Sequence, residues 1–213
     1  MMKSTAMRAG VVMAVLGMAA GQSFGILYSD GGTHSLSSEL SDFVWVDYNK
    51  PGKNTTFILE TGGAVVGGWN VDGYKDSRIT LNGGSIGWDL IAHDNSQVTL
   101  NSGSINRDLV AGGNSTVTIF GGTIGGKINI QDQAVLTIYG SDFVLDGVSV
   151  GIGSLTSIPN APTTLAGKFL NGDAMSYQLL ADAGSSVSVY LIPEPATLGL
   201  LTLGGLVLFL KKQ

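Results

Sequence analysis

The sequence predicts an all-β protein whose centre is a parallel β-solenoid of about five coils. Three observations carry this prediction. A ten-residue pattern recurs at a constant spacing of nineteen residues. Within each copy apolar and polar residues alternate, as in Ile79-Thr80-Leu81, which is the pattern of a half-buried strand. The 213 residues include 32 Gly and no Cys, a composition that favours short strands joined by tight turns. The copies begin at Ser77, Ser96, Ser115 and Ala134.

A constant period near twenty residues is typical of stacked repeats, in which each coil buries its apolar face against its neighbours. Nineteen extended residues trace about 60 Å, enough for three short sides and their corners. Coils stacked about 4.8 Å apart would align equivalent apolar residues inside. A looser copy runs from Phe57 to Asn70, so the repeats are expected over residues 54–146. The pattern is similar to autotransporter β-solenoids, and a β-sandwich is the alternative architecture.

The segments on either side of the repeats are expected to cover the open ends of the stack, because unpaired strand edges invite aggregation. Residues 26–53 are predicted to form an N-terminal cap. Residues 147–191 are predicted to form a C-terminal β segment, with strands around the Asn-Gly turn at Asn171 and Gly172. Two prolines favour a loop over Ser157 to Thr164.

Residues 1–25 have the order of a secretory signal peptide. Lys3 and Arg8 precede the apolar run from Ala9 to Ala20, and small residues follow up to Gly25. The run is shorter than the roughly 20 residues that cross a bilayer, which argues against a permanent anchor. We therefore expect export, with a signal peptidase as a processing partner.

The C-terminal residues 192–213 have a different pattern. Pro193, Glu194 and Pro195 precede an uncharged run from Ala196 to Leu210, and then come two basic residues, Lys211 and Lys212. Because proline bars a helix from extending upstream, a helix here can begin only after the second proline. Fifteen helical residues would rise about 22 Å, so they would span a bilayer only with flanking residues or local thinning. The lysines would stay cytoplasmic.

This order of tripeptide, apolar run and basic end closely resembles the PEP-CTERM sorting signal of exported proteins of Gram-negative bacteria. The resemblance covers about a tenth of the chain. It implies that Pro193, Glu194 and Pro195 are recognised by an exosortase-type membrane protease that cuts close to them. It also implies a transient inner-membrane anchor and a final place at the cell surface or in the extracellular matrix. The family commonly ends in arginines, whereas this chain ends Lys-Lys-Gln.

The charge of the expected mature chain argues against a nucleic-acid partner. The whole sequence has 11 basic and 16 acidic residues. If residues 1–25 and the segment from Glu194 onward are removed, 7 basic and 15 acidic residues remain, which gives a net charge of −8. Nucleic-acid binding needs basic patches that displace counterions from phosphates. An acidic surface is instead compatible with divalent cations or neutral glycans.

Two carboxylates occupy equivalent positions on adjacent repeats, Asp89 and Asp108, and Lys127 takes that position on the next. Carboxylates about 5 Å apart could share a cation or hold a glycan. Alternatively they form a solvated corner, because two exposed carboxylates at that distance repel by only about 1 kcal/mol in water. No cofactor, catalytic residue or dedicated metal site is predicted.

The remaining chemical signals favour structural roles. Gly83 to Gly87 fits the G-x-S-x-G pattern of serine hydrolases, but the same slot recurs in later repeats, so a corner is the better interpretation. Asn and aromatic side chains at one position of successive repeats are expected to stack in a column. His34 and His93 have no partner at metal-ligand spacing. Three tryptophans could form sugar platforms if exposed, or pack in caps and coils. The column comprises Asn82, Asn101, Phe120 and Tyr139, and the tryptophans are Trp45, Trp69 and Trp88.

Two classes of function are compatible with these features. The preferred one is an exported, non-catalytic cell-surface or extracellular-matrix protein, adhesive or structural, with extracellular polysaccharide as a possible partner. The alternative is an extracellular polysaccharide lyase or hydrolase, because β-helices host such activities. That alternative requires several acids and a basic residue converging in a cleft, for example Asp89, Asp94 and Asp108 around Arg107.

Overall fold

The computed structural model describes residues 25–49, 53–155, 161–169, 171–182 and 188–192. Within these ranges the chain is all-β, with 21 strands and no helix. The predicted signal peptide and sorting segment lie outside the described residues, apart from Gly25 and Ile192 at their borders. No described segment forms a helix with the length and hydropathy that a membrane crossing would require.

The strands that precede the regular repeats are short. They are β1 (Ile26–Tyr28), β2 (Thr33–Leu36), β3 (Glu39–Leu40), β4 (Val44–Val46), β5 (Thr56–Leu59), β6 (Ala64–Val65) and β7 (Val71–Gly73). The regular repeats contain β8 (Arg78–Ile86), β9 (Leu90–Ala92), β10 (Gln97–Ile105), β11 (Leu109–Ala111), β12 (Thr116–Ile119), β13 (Thr123–Ile124), β14 (Lys127–Ile130) and β15 (Val135–Tyr139). The C-terminal part contains β16 (Ser141–Leu145), β17 (Val148–Ser149), β18 (Gly153–Leu155), β19 (Thr163–Lys168), β20 (Ala174–Ala181) and β21 (Ser188–Ile192).

These strands wind into a parallel β-solenoid with three sides. Strands β2, β5, β12, β15 and β21, with the first halves of β8 and β10, stack in parallel on the first side. The second side stacks β3, β6, β13 and the last residues of β8 and β10. The third side stacks β1, β4, β7, β9, β11, β14 and β20. The predicted solenoid is confirmed, but it has about six turns instead of five.

The extra turn comes from segments without the nineteen-residue spacing. Val44 pairs with Val71, so one early coil is 27 residues long. Within residues 26–53, predicted as the N-terminal cap, strands β1 and β2 pair in parallel with β4 and β5 as the first coil of the stack. On the other side Ile128 pairs with Leu179, because the chain leaves the stack after β15 and rejoins it with β20.

The core is a set of stacked apolar columns inside the coil. Alternation within β8 places Ile79 and Leu81 inward, and both are fully buried. Leu100 pairs with Leu81 one coil further on, and Ile119 continues the same column. Each coil therefore places its apolar residues on those of the next.

The C-terminal part ends the parallel stack with antiparallel pairing. Strand β19 pairs with β20 and with β16, and β17 extends the same sheet. The predicted turn at Asn171 and Gly172 connects β19 to β20, and Gly172 adopts a φ of 83°. Strand β21 lies between β15 and the antiparallel β18, and its last residue is Ile192. Residues 157–160 of the predicted loop lie outside the described ranges, and its last two residues, Thr163 and Thr164, are instead the first residues of β19.

Candidate functional site

Asp89 and Asp108 occupy one corner column, between the second and third sides. The Asp108 backbone N–H donates a hydrogen bond to Asp89 Oδ1 (2.9 Å), and the Lys127 N–H donates to Asp108 Oδ1 (2.8 Å). One coil earlier, the Asp89 N–H donates to Asn70 Oδ1 (3.2 Å). We call Asn70, Asp89, Asp108 and Lys127 the corner ladder. Its side-chain oxygens link each coil to the backbone of the next.

Arg107 lies beside the corner ladder and contacts both carboxylates. Its Nη1 is 3.5 Å from Asp89 Oδ2, and its Nε is 3.8 Å from Asp108 Oδ2. The guanidinium also lies over the Trp88 ring, 4.6 Å from its centroid. Asp94 is not part of this group, because it pairs with Lys75 at the corner between the third and first sides (3.2 Å). Two of the three acids of the lyase hypothesis therefore converge on the arginine.

The ladder also bears on the cation hypothesis. Among the described residues, no three His, Asp or Glu side chains are grouped closely enough to hold a metal ion. The Oδ1 atoms of Asp89 and Asp108 already accept backbone hydrogen bonds. Cation binding by this pair stays a prediction.

A run of aromatic rings crosses the outer surface of the third side in the first coils. Neighbouring ring centroids lie 4.5 to 5.8 Å apart: Trp69 on Phe43, Phe43 on Trp45, Trp45 on Tyr48, Tyr48 on Tyr74, and Tyr74 on His93. Trp88 lies at the corner and packs against Gly68 of the preceding coil, where an added Cβ would lie 3.6 Å from the ring. We call these seven rings the aromatic face. Trp88 is 42% exposed and Tyr48 is 40% exposed.

Asp72 lies beneath the aromatic face. Its neighbours Val71 and Gly73 point into the core, so Asp72 points outward, yet it is only 8% exposed. Burial raises the pKa of Asp72 to about 6, and the like charge of Asp89 adds to this. Hydrogen bonds from the Trp45 and Tyr74 side chains act in the opposite direction. Its Oδ1 is buried without a hydrogen-bond partner.

The two histidines have aromatic and acidic neighbours. His34 Nε2 contacts Asp30 Oδ1 at 2.8 Å, and its ring stacks on Tyr28 with the centroids 4.4 Å apart. His93 stacks on Tyr74 with an interplanar angle of 9°. Burial lowers the pKa of His93, and Asp94 opposes that effect. Both histidines stack on tyrosines.

The predicted stacking column is confirmed. Asn101 Nδ2 donates to Asn82 Oδ1 (2.9 Å), and Phe120 stacks on Tyr139 with centroids 4.4 Å apart. The G-x-S-x-G sequence lies in and just after β8, where Ser85 pairs with Ser104 of the next coil. Gly83 and Gly84 have positive φ and lie where β8 passes from the first side to the second, which agrees with the corner interpretation.

Sequence reasoning found the three tryptophans but missed the rings and the carboxylate that connect them. The nineteen-residue alignment begins at residue 77, whereas Phe43, Tyr48 and Asp72 lie before it. Amino-acid composition could have indicated these rings, because most of the aromatic residues between 43 and 93 lie before the regular repeats or at their start. The predicted sorting residues Pro193, Glu194, Pro195, Ala196, Leu210, Lys211 and Lys212 lie outside the described residues.

The three stacked sides place this chain in the class of parallel β-solenoid proteins. Comparison of the chain with protein-family models, with curated proteins and with solved structures found no match. The functional argument therefore rests on the chain's own residues and geometry.

Proposed function

We propose that this chain is an exported, non-catalytic protein of the cell surface or extracellular matrix, with an adhesive or structural role. The corner ladder is the observation that carries the proposal. Asp89 and Asp108, the best catalytic candidates of the regular repeats, each accept the backbone N–H of the next coil. Side chains used in this way stabilise a stack of coils, as a structural protein requires.

The proposed route of export rests on the two ends of the sequence. Residues 1–25 would be removed by a signal peptidase. The run from Ala196 to Leu210 would anchor the chain transiently in the inner membrane of a Gram-negative bacterium. An exosortase-type protease would then act near Pro193, Glu194 and Pro195. Ile192 of strand β21 lies directly before this motif, so the motif follows the solenoid immediately in sequence.

Cell fractionation with intact-mass measurement tests the route. The full chain is expressed in a host with an exosortase and in a matched host that lacks it. We expect the first host to release a protein that has lost both terminal segments, and the second to keep the tail in the membrane fraction. A control variant, Pro193→Ala with Pro195→Ala, should behave in the first host as the native chain does in the second. Recovery of the uncut chain from soluble cytosol would refute the proposal.

A polysaccharide lyase or hydrolase is the second candidate, since Arg107 lies within 4 Å of both Asp89 and Asp108. Such chemistry needs acids and a base free to reach the substrate. Incubation of the purified chain with acidic glycans, followed by measurement of chain length, separates the two candidates. We expect no cleavage. Cleavage that Asp108→Asn abolishes would replace the structural function with an enzymatic one.

A further inference from the structure

The aromatic face has the features of a ligand surface that the corner ladder does not explain. We propose that it binds a neutral polysaccharide, with sugar rings packing against the exposed parts of Trp88 and Tyr48. The inference deepens the proposed adhesive function and rests on it. It names the ligand class and the residues that recognise it.

The exposure of the two rings is the first argument. Trp88 and Tyr48 present about two fifths of their surface to water, so both rings are accessible to a ligand. Both are large, flat and amphipathic, with a polar atom to orient a ligand. The other rings of the face hold Tyr48 in position: its centroid lies 5.6 Å from that of Trp45 and 4.9 Å from that of Tyr74.

The buried carboxylate is the second argument. Asp72 lies directly opposite Trp45 of the adjacent strand, beneath the rings of the face. Burying this acid on the outer surface of a sheet is unfavourable, and a leucine or valine would have filled the position at lower cost. Its Oδ1 remains a buried acceptor without a donor. Such a departure from ordinary packing is expected at functional sites.

The charges near Trp88 favour a neutral glycan over an anionic one. Arg107, the cation beside Trp88, is already paired with Asp89 and Asp108, so this end of the face offers no excess positive charge to an anionic glycan. Arg107 is half exposed and has five N–H donors, more than its two carboxylate contacts use. A neutral sugar has hydroxyls that accept from the guanidinium and donate to acidic oxygens. Its ring carbons cover the aromatic surface.

Affinity electrophoresis tests the inference. The full chain, purified in a non-ionic detergent, is run through native gels that contain hydroxyethyl cellulose, galactomannan or dextran, and through gels that contain alginate. We expect retardation by at least one of the three neutral polymers and none by alginate. Trp88→Ala should weaken the binding about tenfold, Tyr48→Ala similarly, and Trp88→Phe much less.

The control is Tyr190→Ala, which removes a ring of similar exposure (38%) from β21 on the first side and should leave binding unchanged. Circular dichroism melting shows that each variant is folded. As a second measurement, the neutral polymer should change the tryptophan fluorescence of the native chain, and Trp88→Phe should lose most of that change.

Three outcomes would overturn the inference. They are no retardation by any neutral polymer, retardation by alginate alone, and retardation that persists in Trp88→Ala. Concentration-dependent dimerisation that Trp88→Ala abolishes, without glycan binding, would assign the face to a second copy of the chain instead. Because binding is measured on purified protein, its failure leaves the export proposal standing, and failed export leaves a positive binding result standing.

Discussion

Replacing Asp72 with Asn should remove a pH-dependent contribution to stability. The pKa of Asp72 is raised from 3.8 to about 6 in the fold, chiefly because the side chain is buried. Between these values the folded state binds more protons than the unfolded state, so the stability of the native chain falls as pH rises from about 4 to 6. The contribution is fully present below pH 4 and is lost above pH 6. The amide side chain of the Asp72→Asn variant cannot ionise, so the variant lacks this dependence.

The size of this contribution to stability follows from the change in the pKa of Asp72 on folding. About two pKa units correspond to about 3 kcal/mol of stability that the native chain loses between pH 4 and pH 7 and the Asp72→Asn variant keeps. The amide N–H₂ would replace an oxygen that has no partner, which adds a constant cost of about 1 kcal/mol or more at every pH. The informative quantity is therefore the change in the difference between the two proteins with pH.

Urea unfolding at pH 4, 5, 6 and 7 measures this difference. We expect the free energy of unfolding of the variant, relative to the native chain, to rise by up to about 3 kcal/mol across the series. Asp76→Asn is the matched control, because its column already contains Asn95 and Asn114 and it removes one carboxylate elsewhere. A difference that stays constant with pH, or that falls as pH rises, would refute the argument that Asp72 is buried at a cost.

Three further substitutions test the packing of the coils by urea unfolding. Ser96→Ala should leave stability unchanged or raise it by about 1 kcal/mol, because the buried Ser96 hydroxyl has no hydrogen-bond partner and Ala134 occupies the equivalent position two coils later. A loss of stability above about 1 kcal/mol would contradict this expectation. Gly103→Ala should destabilise the fold by at least about 2 kcal/mol more than Gly147→Ala, although both glycines have positive φ. An added Cβ at Gly103 would lie 2.6 Å from the Gly83 carbonyl oxygen, whereas Gly147 has open space around it. Equal losses of stability would show that the backbone conformation alone decides the cost. Asp108→Ala should destabilise the fold by about 1 to 3 kcal/mol, because the Lys127 N–H loses its acceptor. Asp108→Asn keeps an acceptor oxygen and should retain most of that stability. Equal losses in the two variants would show that the corner ladder does not stabilise the stack.

The regular coils could be predicted from the sequence because each residue type repeats where its environment repeats. Ile79 and Val98 share one register position, so burial selects an apolar residue at both. The same logic predicted that Asp89 and Asp108 occupy one column. Their hydrogen bonds to the next coil's backbone could not be predicted, because spacing places the side chains but does not orient them.

The outer coils were harder to predict because their lengths vary. Thr33 pairs with Thr56 and Thr56 with Arg78, so consecutive first-side spacings are 23 and 22 residues. A search at constant spacing cannot align such coils, and residues 26–53 were therefore predicted to be a cap. Asp72 was missed for a related reason: a strand of only three residues offers no alternation long enough to show which way its side chain points.

Trp45, Tyr48 and Trp69 of the aromatic face belong to the 27-residue coil, whereas Tyr74 and Trp88 belong to the nineteen-residue coil that follows it. A nineteen-residue coil satisfies its backbone and core with short corners. The 27-residue coil from Val44 to Val71 has eight more residues, and these extend its corners without disturbing the stacked registers on either side. The cost of a longer loop grows only slowly with its length, while a changed register would misplace every inward side chain. A longer coil can therefore add surface rings while the stacked registers, and with them the core, are preserved.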